Sequence, residues 1–380
     1  MMEAYDRFEL LINDRVVRTP IAIASMAGIV DAAYVLERAA HVGAAFIGGY
    51  SIDGPTLDAS RQMAEEGRKE FVYDDPVKAL SREIDALKQS DVVTGINLRG
   101  STPAAYAEIA RAFEDRVVYE IDAHCRQQPM IEAGCGEHLL RHPGDLVAIV
   151  RALKAEGVTV SVKMRAGVAG NDAGLARAVW KAGADILHVD LMDFGHNKVR
   201  QIKNASPMTL IANNSIITFE RAMDAFSHGA DLVSLARKSD PWTLAGLDAA
   251  ITRSAEEGGW YNAPKQICRG GDIRGLAFCC MPVKTCPLLP TLEKIGLSRN
   301  EYLKLKQEAA KGTALDDGKS TCFGSLAWCC KISSPCMFRN MTLENKGLSA
   351  REYMRCKHHL SDKIVQGIFD AQESTDDESS

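Results

Sequence analysis

Lys181-Ala182-Gly183-Ala184-Asp185-Ile186-Leu187-His188-Val189-Asp190 is the stretch whose reading decides the fold. An amphipathic helical pattern ends in it, a glycine follows, and an apolar run begins almost at once and finishes on a carboxylate. Glycine after the last helical turn accepts the left-handed backbone that closes a helix, and the run behind it has the length of a buried strand. The same exit recurs at His41-Val42-Gly43-Ala44-Ala45 and at Ser227-His228-Gly229-Ala230-Asp231. A helix that returns directly to a buried strand is the repeating unit of a parallel α/β protein.

Working outward, short apolar strands are expected at residues 21–24, 45–48, 93–98, 117–121, 158–164, 186–190, 209–212 and 232–235. Amphipathic helical patterns follow them, for example at 32–42, 103–113, 146–155, 174–182, 219–227 and 241–252. Thr102-Pro103 and Asp240-Pro241 each place a capping side chain before a proline at the first helical position. Eight strand–helix pairs predict an α/β fold of the (β/α)8 TIM-barrel type, and residues 8–17, turning at Asn13-Asp14, predict a hairpin that caps one end. A doubly wound open sheet is the competitor, but no Gly-rich dinucleotide fingerprint follows the first strand.

Composition fits a soluble globular chain: 380 residues, 46% hydrophobic, 25% charged, net charge −5. No apolar run reaches the length of a membrane span, and residues 1–18 carry too much charge for a signal peptide, so a cytoplasmic location is expected. The charge is unevenly spread. Residues 261–365 hold 17 lysines and arginines against 9 acids, which suits an anionic partner such as RNA, or equally a solvated basic surface.

The densest chemistry is Tyr119-Glu120-Ile121-Asp122-Ala123-His124-Cys125-Arg126-Gln127-Gln128-Pro129, where the fourth strand is expected to end at Ile121. In parallel α/β proteins, ligands bind at the carboxyl ends of strands. His124 and Cys125 are the candidate catalytic pair, with the Cys125 pKa expected to be lowered by His124 or Arg126. The competing reading is a packed, inert thiol and a hydrogen-bonded loop histidine; Cys135 reads as structural. Other polar strand ends converge on the same rim: Asn97, Lys163, Arg165, Asp190, Asn213-Asn214-Ser215 and Ala236-Arg237. The last two sets follow the seventh and eighth strands, where barrel enzymes commonly bind phosphate.

After residue 258 the chain changes character, giving domains expected at 1–258 and 259–365 and an acidic disordered tail at 366–380. Of 11 cysteines, nine crowd between Cys268 and Cys356. They sit in a repeat: Leu276-Ala277-Phe278-Cys279-Cys280 matches Leu326-Ala327-Trp328-Cys329-Cys330, and Ser298 with Glu301 matches Ser349 with Glu352 as helix capping boxes. Two metal quartets are expected, Cys268, Cys279, Cys280, Cys286 and Cys322, Cys329, Cys330, Cys336. Neither zinc-ribbon nor bacterial ferredoxin spacing is present; [4Fe-4S] clusters are the first reading and zinc is the second.

The barrel resembles the tRNA-dihydrouridine synthases. The motifs that carry the resemblance are Ala24-Ser25-Met26-Ala27-Gly28, Gly95-Ile96-Asn97-Leu98-Arg99-Gly100, Lys163-Met164-Arg165, Asn213-Asn214-Ser215-Ile216 and Gly229 through Arg237. The resemblance implies an FMN cofactor. Ser25, Met26, Ala27 and Gly28 would lie along the flavin ring, Asn97 would replace a ring-contacting glutamine, and Lys163 would bind the flavin. Asn213, Asn214, Ser215, Ala236 and Arg237 would hold its phosphate. Two departures are visible: Ala123-His124-Cys125-Arg126 stands where the family has an Asn-x-Gly-Cys-Pro loop, and Asp190 replaces a flavin-contacting histidine. Both look like an archaeal side branch, and the cysteine repeat resembles methanogenesis marker domain nine. The expected activity is hydride transfer between flavin and a C=C bond, uracil in tRNA included, with an electron-donor protein as a further partner. The alternative is a non-enzymatic flavin and cluster protein that serves assembly of a methanogenic enzyme.

Overall fold

Eight strands close into a parallel barrel in the order β10-β3-β4-β5-β6-β7-β8-β9. They are β3 (Ile21–Ile23), β4 (Ala44–Ser51), β5 (Val93–Arg99), β6 (Val118–Ala123), β7 (Val160–Arg165), β8 (Ile186–Asp190), β9 (Thr209–Asn213) and β10 (Leu232–Leu235). The structure is a computed structural model and describes residues 7–8, 10–206, 208–258, 296–316 and 337–377. β1 (Leu11–Ile12) and β2 (Arg15–Val16) form the expected antiparallel hairpin, with Asn13 and Asp14 at φ 53° and 55° in the turn. Asn13 Nδ2 donates to the Asp115 carbonyl and Asn13 Oδ1 accepts from Thr159 Oγ1, so the hairpin closes the end where β6 and β7 begin.

The strands form where apolar runs are buried on both faces. Val160, Val162 and Met164 of β7 are fully buried, and each such side chain contributes about 1.5–3 kcal/mol on burial. Residues that face the barrel interior alternate with residues that face the helices. In β6, Tyr119 reaches outward and its hydroxyl donates to the Glu114 carbonyl, while Glu120 and Asp122 turn inward.

Helix starts follow the sequence. Thr102 accepts from Ala105 N to cap Pro103–Phe113, and Asp240 accepts from Thr243 N ahead of Pro241–Gly258. Asp53 and Asp75 cap Gly54–Glu65 and Pro76–Leu87 in the same way. The three glycine exits differ. Gly183 and Gly229 take φ of 106° and 108°, as left-handed caps do, but Gly43 does not. It is a glycine because a Cβ there would stand 2.1 Å from the Thr19 carbonyl oxygen.

Two further expectations shift. β6 runs to Ala123, so Asp122 lies within the sheet, opposite Lys163, and not beyond its end. The segment expected as a disordered tail is helical as far as Asp377, in one helix Ala350–Asp377. The chain divides into two units, Met1–Ala225 with Ala230–Arg253, and Phe226–Gly229 with Ser254–Ser380.

In the second unit both capping boxes form: Ser298 and Glu301 start Arg299–Ala310, and Ser349 and Glu352 start Ala350–Asp377. The repeat extends further than the motifs quoted above. Tyr302 and Lys306 of one helix match Tyr353 and Lys357 of the other, and all four are fully buried. Cys268, Cys279, Cys280, Cys286, Cys322, Cys329, Cys330 and Cys336 lie outside the described residues. Among the described residues no helix is long and apolar enough to cross a membrane, and no group of three or more His, Cys, Asp or Glu is placed to hold a metal ion.

Candidate functional site

The carboxyl ends of the barrel strands carry a cavity of about 620 Å³ and a second of about 430 Å³ that shares part of its lining. Ser25, Met26, His124, Lys163, Asp190 and Arg237 line both. Asn97, Arg99, Asp122, Cys125 and Arg165 belong to the first, and Asn213, Ser215, Ser234 and Ala236 to the second. Every residue expected at a flavin site therefore lies on this one rim except Gly28. Gly28 sits at φ 68° one turn back, where a Cβ would meet the Lys69 backbone at 2.4 Å, so it seats the loop that brings Arg68 and Lys69 to the cavity wall.

Strand alternation puts the polar groups there in pairs. Asn97 and Arg99, Glu120 and Asp122, Lys163 and Arg165, His188 and Asp190 are each two apart and point inward. The upper member of each pair reaches the mouth, and among the lower ones Glu120 and His188 lie in the barrel core. Lys163 is buried and donates to Ser25 Oγ at 2.8 Å and to the Ser25 carbonyl at 3.0 Å, which ties the fifth strand to the first across the barrel. Arg99 donates to Asp122 at 2.9 Å and to Glu70 at 2.7 Å. Burial alone would raise the Asp122 pKa, but Arg99 outweighs it and holds the carboxyl at about 2. Asp122 Oδ1 also accepts from the backbone N–H of His124 and Cys125, each at 3.0 Å, and so shapes the turn that carries both.

His124 and Asp190 form a close pair, Nε2 to Oδ2 at 2.7 Å. Burial lowers the His124 pKa, with Lys163 and Arg165 adding to it, against the opposing bond to Asp190. Burial would raise the Asp190 pKa, but the His124 bond dominates and lowers it. The pair is thus a neutral imidazole donating Nε2–H to a carboxylate. Arg165 Nη2 lies 3.3 Å from the same nitrogen, but a protonated Nε2 accepts nothing, so its acceptor is the His124 carbonyl at 3.4 Å. His124 Nδ1 accepts no hydrogen bond from a described residue. Glu137 stands 3.3 Å from Arg165 Nε and holds that guanidinium from behind.

Cys125 lines the cavity but packs into an apolar cluster with Ala59, Met63, Met130 and Cys135. Burial raises its pKa, and Arg99 offsets this only in part. That corrects the expected lowering by His124 or Arg126: the imidazole is neutral, and Arg126 is exposed. Cys135 is structural, fully buried, with its thiol donating to the Asp122 carbonyl at 3.7 Å.

Asn214 and Ser215 follow β9 at φ 101° and 57°, and Asn214 Nδ2 donates to the Met192 carbonyl at 2.8 Å. Arg237 is exposed beside them and makes no hydrogen bond or ion pair with a described residue. A free guanidinium next to a tight polar loop after the seventh and eighth strands suits a phosphate. Sequence reasoning did not assign roles to Glu70, Arg99, Glu120, Glu137 or His188. The two-residue alternation of polar groups at strand ends was the signal for Arg99, Glu120 and His188. Glu70 had none, because it stands in a loop, where its side chain is buried against Arg99 and Arg68.

A closed parallel barrel with a charged cleft at its carboxyl end and a buried lysine across it defines an α/β barrel of the TIM type with a ligand-sized site. The chain belongs to the dihydrouridine synthase family, whose model matches residues 73–269. It is a flavin-dependent oxidoreductase by that membership. It is 49% identical over 108 residues to an uncharacterized protein of Methanocaldococcus jannaschii, covering 28% of this chain and 70% of that one. A second uncharacterized protein of the same organism is 25% identical over 232 residues, covering 57% and 88%. Among solved structures, DHODH of Eimeria tenella shares the fold with a TM-score of 0.50 at 13% identity, covering 66% of this chain and 84% of that one. A FabK mutant of Thermotoga maritima aligns with a TM-score of 0.40 at 18% identity over 62% of this chain and 64% of that one.

The residues fit FMN. The second cavity offers Arg237, Lys238 and the loop 213–215 for a phosphate, and the first offers Ser25–Ala27, Asn97 and Lys163 for a planar polar ring.

Proposed function

We propose that this flavin-dependent oxidoreductase reduces a C=C bond of the uracil type in RNA, and that the cavity takes the ring while the basic rim takes backbone phosphates. When bound, FMN supplies the hydride. The chain's own residues must then hold the acceptor and deliver one proton. The observation that carries this reading is the shared wall: the Cys125 thiol and the His124–Asp190 pair face the cavity that Lys163 and Ser25 also line. Cys125 keeps its proton at neutral pH because burial raises its pKa, which suits a general acid. His124, neutral and with Nδ1 accepting no hydrogen bond from a described residue, would return that proton from solvent.

The test is anaerobic purification followed by absorbance and mixing with unmodified tRNA and a reductant. Flavin bands that bleach on reduction and recover with tRNA, together with dihydrouridine in the product, support the reading. Flavin that turns over without dihydrouridine moves the substrate elsewhere, and protein that neither carries nor takes up flavin removes it.

We further propose that the eight cysteines between Cys268 and Cys336 bind metal in two sites, as iron–sulfur clusters before zinc, and that an electron-donor protein docks on that unit. The support is the duplicated cysteine pattern, together with the duplicated capping box and buried Tyr and Lys in the helices that follow each copy.

A further inference from the structure

The barrel core beneath the cavity is polar. Glu120 is fully buried and accepts from Asn97 Nδ2 at 2.8 Å, from Ser161 Oγ at 3.2 Å and from His188 Nδ1 at 2.8 Å. His188, also fully buried, meets Ser234 Oγ at 2.7 Å through Nε2, and Ser234 Oγ accepts from Asn213 Nδ2 at 2.7 Å. The chain of bonds thus begins at Asn97, on the wall of the first cavity, and ends at Asn213, on the wall of the second.

A carboxylate only accepts hydrogen bonds, so Asn97 is obliged to turn its amide nitrogen toward Glu120. Its Oδ1 then faces away and accepts nothing from a described residue. It stands beside Gly49, where a Cβ would come within 2.6 Å of Arg99 Nε and 3.0 Å of this oxygen, and Gly49 lines the same cavity. A side chain there would crowd the oxygen; glycine leaves it open. Burial works against ionisation of Glu120, but His188, Lys163 and Asn97 together keep its pKa below the ordinary value. The acceptor role of Glu120, and with it the orientation of Asn97, is therefore maintained across the working pH range.

We infer that Glu120, held by His188, is a positioning residue that locks Asn97 as a hydrogen-bond acceptor on the cavity floor, so the ligand edge resting there carries an N–H. The inference rests on the reading of this cavity as a flavin site. Oxidised isoalloxazine has a single ring N–H, at N3, and two-electron reduction adds one at N5. Both are the chemistry that an open amide oxygen recognises.

The test uses the full-length protein, freed of flavin and titrated with FMN and with 3-methyl-FMN, with binding read by fluorescence quenching; the midpoint potential of bound flavin is measured alongside. Glu120→Gln lets Asn97 turn, and Asn97→Ala removes the oxygen outright and covers the case in which Glu120→Gln does not fold. If N3–H is the partner, wild type binds FMN about three- to tenfold more tightly than the methylated analogue, the range of one neutral hydrogen bond, and both variants bring that ratio toward one. If N5–H is the partner, the ratio is the same in all proteins, but bound flavin is harder to reduce in both variants than in wild type. Equal ratios together with equal potentials overturn the inference while leaving the flavin site intact. A wild type that takes up no flavin overturns both.

Discussion

At the scale of single residues, the His124–Cys125 turn is governed by environment more than identity. The Cys125 thiol is kept protonated by burial, so Cys125→Ala should slow turnover with an RNA substrate by about 10²–10⁴-fold, the span of general acid catalysis, while flavin reduction by itself proceeds unchanged. Single-turnover stopped-flow on the two half-reactions separates these, and an unchanged RNA half-reaction would transfer the proton to His124 or to water. The pH response follows from depressed pKa values at Asp122, Asp190 and His124. A group whose pKa is lower in the folded state releases its proton more readily there. Its stabilisation is complete above its unfolded pKa and is lost as pH falls through the folded value. For His124 the loss begins below the unfolded value of about 6.5, and for the carboxylates below about 4. The Asp122 share is on the order of 2 kcal/mol, given a folded value of about 2. Urea midpoints should therefore drop from pH 7.5 to pH 5, and His124→Gln should flatten that segment of the curve. A slope between pH 5 and 7 that is the same in the variant would refute the role of His124.

Elements show where short-range rules suffice. Thr102, Asp240, Ser298 and Ser349 cap helices at the residues where their sequence neighbours required it. Ser298→Ala and Ser349→Ala should each lower stability by about 0.5–2 kcal/mol, and the effects should add, because each box satisfies amides of its own helix only. Chemical denaturation of the full chain, followed at the second-unit transition, is the measurement; a strongly non-additive pair would mean that the two helices unfold as one coupled structure. Local rules fail where an element ends for tertiary reasons. β6 continues two residues past the expected stop because Asp122 and Ala123 pair with Lys163 and Met164 of β7, and polarity does not end a strand whose polar side chain has Arg99 to meet. Gly43 is likewise explained by the Thr19 carbonyl and not by its own backbone angle.

For the whole molecule, the barrel and the duplicated cysteine unit pose separate questions. The eight cysteines from Cys268 to Cys336 should hold metal in two independent sites, so Cys286→Ser should lose about half of the bound metal, and Cys336→Ser about the other half. Metal and acid-labile sulfide analysis on anaerobically prepared protein decides it. Full metal content in both variants would show that these cysteines are not ligands, and zinc without sulfide would make the unit structural and not an electron relay.

What the sequence determined by itself is the set of features that depend on near neighbours. The strand–helix alternation, the caps, the hairpin at Asn13-Asp14 and the repeat with its paired serines all follow from periodicity and turn chemistry within a few residues. So does the rim, since the carboxyl ends of eight parallel strands meet on one side in any such barrel. The tertiary structure alone decided which charges meet and in what protonation state. Glu120 meets His188 across 68 residues, Arg99 meets Glu70 across 29, and Lys163 meets Ser25 across 138. A pKa is set by desolvation and by charges a few ångströms away, and neither quantity is written in a residue's sequence neighbourhood. The Cys125 thiol shows this most directly: its neighbours in the chain are a histidine and an arginine, but the apolar cluster that packs around it raises its pKa.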